Sequence, residues 1–511
     1  MSELELKISE LATKYLPLAS EILKEAIRLP ADHMDTDPFC GESNHEGPRM
    51  EYLKESIIKH GAVFKPEDVF FDEYGNIVWY VEDPEDKTPK EQKKVVYFDG
   101  HCDTVKALRS EWHNKLGKGV DCFNGVTNPD EVSIEALKET LGYVPPKEEW
   151  NNLIFGRGGA DQLAGVISQI IATKIMIELR SMGALKGVII RSYGTAAEED
   201  NDGAGPMYVH KHVLPNAPVE MYPDAYIFTE GTGDYTRSAC GIYRGQRGRM
   251  QIEVSVIGRS CHGSMPDRGL NPLEWGAKIL VACTEQVENG VGIKDHDFLG
   301  RGTRTASWAT LDSPSDCAVP EQFVFRFDRR ITYGEDPAQC VSIIEELPVI
   351  AEARKAGLTV KVSIPRYNNA SWTGYYPNND AVYLCWETPE EHPTIQAAVK
   401  TYEKVTSKTI TDEDITANPL LKREPYVGRW IFSTDGVGCY RKADECSDAD
   451  TAIMKAKGWQ LDAAGFWHPP MLGLGAGHEQ HTHRIGEYVC TRELKAAISW
   501  MARYPSQLAE L

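Results

Sequence analysis

The stretch GVIIRSYGTAAEEDNDG (residues 187–203) decides how this chain is interpreted. Its first half, GVIIRSY, is an apolar run of the kind that forms a buried β-strand. Two adjacent acids, Glu198 and Glu199, follow the strand almost at once. Carboxylates near a core need a cation, a metal ion or solvent to offset the cost of their burial. On this stretch alone a solvated loop is the simplest explanation, so other parts of the chain must decide.

The composition excludes several classes of protein. A chain of 511 residues with 41% hydrophobic content is long enough for two or three domains. A net charge of −21 argues against nucleic acid or an anionic membrane surface as a partner. The twelve cysteines include no CxxC pair, which is typical of a reducing compartment. Because signal-peptide features and long apolar runs are also missing from the sequence, we expect a cytoplasmic protein.

Strand and helix signals alternate through the first half of the chain, which predicts an α/β layer with helices on both faces of a sheet. From residue 244 the order changes to βαββαβ, the pattern of a ferredoxin-like unit. We therefore predict a catalytic domain formed by residues 1–243 and 367–511, interrupted by an inserted domain at 244–366. Two polar segments, about 108–150 and 440–468, are interpreted as surface insertions.

Five predicted strand ends carry side chains that bind metals. They are His101 with Asp103, then Asp161, then Glu198 with Glu199, then Glu230, and finally His478, His481 and His483. Each signal is weak alone, since a single acid can cap a helix and a histidine-rich loop can be solvated. In an α/β sheet, however, ligands bind at the carboxyl ends of the strands. Two imidazoles with three carboxylates would suit a pair of zinc ions that share one bridging carboxylate.

The motif GRGGAD (residues 156–161) follows a strand and precedes a helix, as a phosphate-binding loop does. A dinucleotide-binding fingerprint needs glycine at the last position of GxGxxG, and this chain has Asp161 there. An acid at the start of the helix would repel a pyrophosphate. Nucleotide binding is therefore the minor alternative.

Several motifs together resemble a known family. They are HCD (101–103), GRGGAD (156–161), AEED (197–200), FTEG (228–231), GRSCHGSMPDRGLNP (258–272) and the histidine-containing loop near the end. In this order they resemble the di-zinc amidohydrolases and peptidases related to aminoacylase, acetylornithine deacetylase, succinyl-diaminopimelate desuccinylase and carboxypeptidase G. The similarity looks closest to the branch associated with selenium metabolism. The resemblance implies a zinc-peptidase-like α/β/α catalytic domain with an inserted ferredoxin-like α+β lid and dimerisation domain.

The resemblance also implies two metal sites that share a ligand. Asp161 would be the bridging carboxylate, His101 and Glu230 would complete one site, and Glu199 and His483 would complete the other. Glu198 would be the general base, and Asp103 would orient the ring of His101. As neighbours at a strand end, Glu198 and Glu199 are expected to point to opposite sides and so to divide the two roles.

The choice of the last ligand rests on spacing. Members of the family carry a histidine four residues before a glutamate, and His483 has this spacing to Glu487. His481 does not have it, but it lies close enough in the chain to remain the alternative.

Three further residues take roles from the resemblance. His262, in the inserted domain, would stabilise the oxyanion, often from the partner subunit of a dimer. Arg330 matches the position where relatives hold a substrate carboxylate, and Asn271 is expected to contribute to substrate binding. Without the resemblance, His262 and Arg330 would be ordinary polar residues of strands.

These observations predict a cytoplasmic homodimeric hydrolase. Its reaction would be cleavage of the amide bond of a small N-acyl or N-carbamoyl amino acid or a dipeptide by a metal-activated water, with Glu198 as general base. The cofactors would be two divalent metal ions, with zinc expected and cobalt or manganese as alternatives. Two other functions stay open: a non-catalytic relative that binds an amino-acid-like ligand, and an aminopeptidase that acts on longer peptides.

Overall fold

The computed structural model describes residues 2–32, 36–37, 41–42, 46–116, 120–126, 131–234 and 239–511. The predicted insertion at 108–150 therefore lies partly outside the described residues. The helices are α1 Glu3–Ile27, α2 Gly47–Lys59, α3 Arg109–Leu116, α4 Ile134–Leu141, α5 Ala164–Glu178, α6 Glu198–Asn201, α7 Ala204–Tyr208, α8 Pro272–Glu288, α9 Pro337–Glu345, α10 Pro348–Lys355, α11 Pro393–Thr401, α12 Ser407–Thr409, α13 Asp412–Ala417, α14 Asp448–Ala456 and α15 Thr491–Ala509.

The strands, in chain order, are β1 Thr36–Asp37, β2 Gly41–Glu42, β3 Val69–Phe71, β4 Ile77–Val81, β5 Lys94–His101, β6 Leu153–Phe155, β7 Val188–Thr195, β8 Ala225–Phe228, β9 Ile242–Gln246, β10 Gly248–Ile257, β11 Cys261–His262, β12 Thr303–Asp312, β13 Ala318–Val319, β14 Gln322–Ile331, β15 Thr359–Ser363, β16 Arg366–Tyr367, β17 Asn379–Asp380, β18 Val382–Tyr383, β19 Trp386–Glu387, β20 Val427–Trp430, β21 Arg441–Lys442, β22 Gln460–Leu461, β23 Phe466–His468, β24 Met471–Gly473 and β25 Tyr488–Cys490.

The largest sheet of the described residues has the strand order β19-β9-β24-β8-β5-β7-β4-β3, with β20 also paired to β9. Its centre is parallel, because β5 pairs in parallel with both β7 and β8, and β24 pairs in parallel with β8. The carboxyl ends of these four central strands therefore meet along one edge. This edge is where an α/β sheet binds its ligands.

Alternate residues of the central strands enter two different cores. Val96 and Phe98 of β5 pack in the core that contains α1, α5, α11 and α15, whereas Val95 and Tyr97 pack on the opposite face. This is the two-residue period of an extended strand. The sheet is thus covered on both faces, and the predicted α/β/α catalytic layer is confirmed.

The segment 440–468 covers part of the second face of the sheet. It contains α14 and a small sheet of β21, β23 and β22, and its Trp459 and Trp467 are buried in the second core. The side chain of Trp459 also donates a hydrogen bond to the carbonyl of Pro223, with 3.0 Å between the heavy atoms. This polar insertion is therefore part of the catalytic layer.

The described part of the segment 108–150 forms a small core of its own. Trp112, Leu137 and Trp150 pack there with Ile485 and Tyr488 from the end of the chain. The segment therefore lies against the loop that carries the last histidines.

The inserted segment forms the second large sheet, with the strand order β12-β14-β10-β15 and β18 also paired to β10. These pairs are antiparallel, and helices α8, α9 and α10 cover one face. Counted along the chain, the strands lie in the order 2-3-1-4, which is the ferredoxin-like arrangement predicted from the sequence. The domain limits at 244 and 366 stay predictions.

Within the described part of the chain, no helix is long and apolar enough to span a bilayer.

We predict that Trp459→Ala lowers the free energy of unfolding by about 3–5 kcal/mol, because it removes a buried indole from the second core. The matched control is Leu461→Ala in the same segment, where the side chain is 51% exposed and the expected change is about 0.5 kcal/mol or less. Urea denaturation followed by circular dichroism would measure both. Equal midpoints for the two variants would contradict the role of this segment as a cover of the sheet.

Candidate metal centre

The predicted metal ligands come together at the carboxyl edge of the central strands. His101 is the last residue of β5, and Glu230 lies two residues after β8. Asp161 lies in the connection between β6 and α5, and His483 lies in the loop after β24. Four separate segments thus deliver one side chain each to the same place.

Glu198 and Glu199 do not lie on the strand that precedes them. β7 ends at Thr195, Ala197 takes a left-handed conformation with φ +54°, and α6 begins at Glu198. The expectation that the two acids sit as strand neighbours on opposite faces was therefore wrong. Successive residues of a helical turn differ by about 100° in direction, so the two carboxylates diverge by less than the strand geometry predicted.

The turn that carries the two acids is fixed by other carboxylates. The two oxygens of Asp103 accept hydrogen bonds from the backbone N–H groups of Glu198 and Glu199, at 3.1 and 2.9 Å. Glu46 accepts a third from the N–H of Ala197 at 2.9 Å. Acceptors at the start of a helix satisfy amides that have no partner within the helix. Asp103 was singled out from the sequence, whereas Glu46 was missed because no motif marks it.

Asp161 lies between two imidazoles. Its Oδ1 is 3.0 Å from Nε2 of His101, and its Oδ2 is 3.1 Å from Nε2 of His483. Nε2 of His483 is also 3.2 Å from an oxygen of Glu199, and Nε2 of His101 is 3.8 Å from an oxygen of Glu230. Asp161 therefore belongs to two groups of possible ligands at once, as the sequence predicted for a bridging residue.

The ring of His101 is oriented by the segment that follows it. Its Nδ1 donates to the backbone carbonyl of Asp103 at 3.0 Å and lies 3.3 Å from the side-chain oxygen of the same residue. This contact turns Nε2 towards Asp161 and Glu230. An imidazole held by one nitrogen in this way presents the other nitrogen as a ligand.

The ionisable side chains of the cluster are close together and shielded from solvent, and both effects shift their pKa values. Burial raises the pKa of Glu198 well above its ordinary value, and it raises the pKa of Glu230 to about 8, with the charge of Asp161 adding to the effect. Burial also disfavours the charge of Asp161, but hydrogen bonds from His101 and His483 hold its pKa well below the usual range. Burial opposes the protonation of His483 as well, yet the charges of Glu199 and Asp161 raise its pKa to about 11.

The cluster fits divalent cations. Three overlapping groups have their ligand atoms within 4.8 Å of one another: His101, Glu198 and Glu199; His101, Asp161 and Glu230; and Asp161, Glu199 and His483. Oε2 of Glu230 is buried without a hydrogen-bond partner among the described residues. Imidazole nitrogen and carboxylate oxygen are the ligands that zinc, cobalt and manganese accept. A cation would offset the negative charge that these acids bring into the interior.

The three histidines near the end of the chain have different surroundings. The ring of His483 lies against Asp161 and Glu199, and this residue has φ +63°. His478 is buried and bonds to Glu493 at 2.6 Å. His481 is buried between the rings of His478 and Tyr488, and neither of its ring nitrogens has a hydrogen-bond partner among the described residues. The geometry therefore favours His483 as the ligand.

A buried ion pair joins the two segments that carry Asp161 and His483. Arg157 Nη1 lies 2.7 Å from an oxygen of Glu487. The other oxygen of Glu487 accepts hydrogen bonds from the backbone N–H groups of Ala160 and Asp161, at 3.0 and 3.1 Å. Glu487 entered the sequence analysis only through its spacing to His483, and the role of Arg157 was missed although the residue lies within GRGGAD.

The residues predicted in the inserted domain have other contacts in this chain. His262 lies on the short strand β11, is exposed and pairs with Ser264. Asn271 caps α8 by accepting hydrogen bonds from the backbone N–H groups of Leu273 and Glu274. Arg330 is paired with Asp328 through two nitrogens, at 2.8 and 3.1 Å. None of these contacts among the described residues joins His262 or Asn271 to the metal-ligand cluster.

The chain is similar in sequence to known proteins. A sequence profile of a peptidase dimerisation domain matches residues 244–349, within the inserted segment. The uncharacterized protein YgeY from Escherichia coli (strain K12) is 28% identical over 498 residues, which cover 98% of this chain and 96% of YgeY. A probable succinyl-diaminopimelate desuccinylase from Staphylococcus aureus (strain N315) is 29% identical over 480 residues, or 91% of this chain and 93% of that protein.

Solved structures share the fold at low sequence identity. The di-peptidase Dug1p from Saccharomyces cerevisiae superposes with a TM-score of 0.61 at 14% identity and covers 100% of both chains. An M20 family metallo-carboxypeptidase from Sulfolobus solfataricus superposes with a TM-score of 0.58 at 14% identity and covers 96% of this chain and 99% of its own. These similarities confirm the predicted architecture of a catalytic layer with an inserted dimerisation domain.

We predict that His483→Ala lowers the amount of metal bound per chain, whereas His481→Phe leaves it unchanged. Phenylalanine keeps an aromatic ring at this position, and the ring nitrogens of His481 make no hydrogen bond to the described residues that the change could remove. Elemental analysis of protein purified without chelator would measure both variants beside the parent. Loss of metal from His481→Phe, with retention by His483→Ala, would show that His481 is the ligand.

Proposed function

We propose that this chain is an enzyme of the M20 family of metallopeptidases and related hydrolases, and that it cleaves the amide bond of a small N-acyl or N-carbamoyl amino acid or a dipeptide. One observation carries this proposal: the carboxylate of Asp161 lies between two imidazoles, with about equal distances of 3.0 and 3.1 Å. That arrangement suits two metal ions that share a ligand.

We assign His101 and Glu230 to one cation, Glu199 and His483 to the other, and Asp161 to both. A bound pair of zinc ions would polarise an amide carbonyl and lower the pKa of a water molecule to about 7. Cobalt and manganese accept the same ligands. Asp103 has a positioning role, because it holds the ring of His101 and the turn of Glu198 and Glu199.

Glu198 is the proposed general base. The residue is 8% exposed, and it does not take part in the contact that joins Glu199 to His483. It would accept a proton from the attacking water at a side-chain oxygen and donate it to the leaving nitrogen. Burial raises its pKa, and a carboxyl group with a raised pKa is suited to both steps near neutral pH.

The inserted domain would supply the remaining groups. We propose that His262 stabilises the oxyanion from the partner subunit of a homodimer, because it is exposed and none of its contacts among the described residues involves the metal ligands of its own chain. Arg330 and Asn271 remain predicted substrate contacts on the same domain.

The described cysteines are free thiols, which supports a reducing compartment such as the cytoplasm.

The homodimer would form through the outer strand of the inserted sheet. β12 is an edge strand of ten residues, and nine of them are exposed. An edge strand of this length presents unpaired backbone groups to a second chain. Trp308 and Leu311 on this strand are 47% and 44% exposed, so pairing between subunits would also bury apolar surface.

We predict that Glu198→Gln lowers kcat by about 10²- to 10⁴-fold and leaves the metal content unchanged, because glutamine keeps the shape but accepts no proton. Glu199→Gln is the matched control and should lose metal. The assay would use N-acyl amino acids, N-carbamoyl amino acids, dipeptides and a ladder of longer peptides. Near-normal turnover by Glu198→Gln would exclude it as the base, and a preference for long peptides would indicate an aminopeptidase.

We also predict that Trp308→Glu converts the dimer to a monomer, because a charge would be buried beside the paired edge strands. Light scattering of the variant and of Ile257→Glu, a control on an interior strand of the same sheet with 39% exposure, would measure the mass. A monomeric parent, or a dimeric Trp308→Glu variant, would contradict the proposed interface.

A further inference from the structure

Three arginines follow one another on one face where the inserted sheet begins. Arg247 directly precedes β10, and Arg249 lies two residues further along the chain. Arg330 of β14 is the direct cross-strand partner of Arg249. Residues two apart on a strand, and residues opposite each other, share a face of the sheet.

Two of the three arginines are neutralised. Arg249 contacts Asp202 at 2.9 Å and Asp328 at 3.4 Å. Arg330 forms its two-nitrogen pair with Asp328, and its remaining Nη1 donates to the hydroxyl of Ser433 at 3.1 Å. The guanidinium of Arg330 is therefore occupied by groups of this chain.

Among the described residues, no acid forms an ion pair with Arg247. Its two terminal nitrogens donate to the backbone carbonyls of Arg301 and Ile431, at 2.7 and 2.6 Å. Its Nε is buried without a hydrogen-bond partner in the part of the chain that the structure describes. Carbonyl groups offset only part of a full positive charge, and the nearest acids, Asp328 and Glu335, act on Arg247 only at longer range.

Arg429 has even fewer partners and lies close by. It sits where the pairing of β20 with β9 shifts register, which is a place where a side chain is often redirected. Its Nη1 is buried without a hydrogen-bond partner, and among the described residues no carboxylate pairs with it. A Cβ atom built on Gly300 would lie 2.7 Å from its Nη2. Arg429 therefore lies beside Gly300, and Arg247 donates to the carbonyl of the next residue, Arg301.

We propose that Arg247 and Arg429 form a binding site for a small oxyanion, either a carboxylate or a phosphate group. Each guanidinium offers one buried N–H without a partner among the described residues, Nε of Arg247 and Nη1 of Arg429, and charged N–H donors of this kind bind the oxygens of such anions. Burial and the charges of Arg429 and Arg330 lower the pKa of Arg247, and the charges of Asp328 and Glu335 offset this only in part.

Arg330, next to this site on the same face of the sheet, is joined by hydrogen bonds to the turn that carries the proposed catalytic base. Ser433, which accepts from Arg330, donates to a carboxylate oxygen of Asp202 at 3.3 Å. Asp202 directly follows α6, the turn that carries Glu198 and Glu199. On the basis of the proposed function, the anion is an acid group of the substrate, so the enzyme would prefer an acyl or amine portion that carries a second acid. A free phosphate or carboxylate metabolite would present the same chemistry.

Calorimetric titration of the metal-loaded, full-length protein with inorganic phosphate and with succinate tests the site directly. We expect binding to the parent that weakens about tenfold or more in Arg247→Met and Arg429→Met. Arg366→Met, an exposed arginine elsewhere in the inserted region, should bind as the parent does. Thermal unfolding of the variants is the folding control, and Arg429→Lys should recover part of the affinity.

Two substrates would show whether the anion is part of the substrate or a separate molecule. They are the N-succinyl and the N-butanoyl derivative of the same amino acid. If the ratio of their kcat/KM values falls in Arg429→Met, the anion belongs to the substrate. Weaker phosphate binding with an unchanged ratio identifies a free anion. If both binding and the ratio equal those of the parent, the inference is overturned. If neither compound is hydrolysed, the proposed function fails for these compounds, while the titration still tests the anion site.

Discussion

The carboxylate of Asp161, shared between His101 and His483, is the contact on which the catalytic half of the molecule depends. It brings together the end of a central strand, the connection before a buried helix and a loop near the end of the chain. This arrangement holds several acids within a few ångströms of one another. Like charges repel strongly in a site that excludes water. The parallel strands, covered on both faces, form the rigid base that resists this repulsion.

A buried ion pair next to the metal-ligand cluster supports the position of Asp161. Glu487 holds the backbone of Asp161 and is paired with Arg157, although 330 residues separate the two members of this pair. Breaking a buried pair of this kind would leave an uncompensated charge, which is strongly destabilising. The metal-ligand geometry therefore requires both halves of the interrupted catalytic layer to be folded together.

The inserted domain is linked to the same centre through polar contacts. Arg249 of the inserted sheet pairs with Asp202, and the backbone of Asn369, just after the predicted end of the inserted domain, exchanges two hydrogen bonds with Asn201. Both Asn201 and Asp202 belong to the turn after Glu199. The position of the inserted domain and the position of this turn are thus energetically connected, and a shift of one would disturb the other.

The sequence by itself determined the layered fold and most of the candidate ligands. Strand period, helix period and the βαββαβ order are local properties, and each of His101, Asp161 and Glu230 directly follows a recognisable pattern. The resemblance to a known family added the roles of these residues, which spacing alone does not supply. The predicted surface insertion at 440–468 shows one limit, since its polar composition hides the few large apolar side chains that cover the sheet.

Only the tertiary structure decided the rest. The helical turn of Glu198 and Glu199 is held by Asp103 and Glu46, which are distant in the chain, so strand logic could not predict it. Spacing to Glu487 already favoured His483 over His481, but only the structure shows that the ring of His483 lies next to Asp161. The unpaired N–H groups of Arg247 and Arg429 could be recognised only from the structure, because it gives the positions of their possible partners. In each case the deciding interaction is between residues far apart in sequence, whose distance no local pattern encodes.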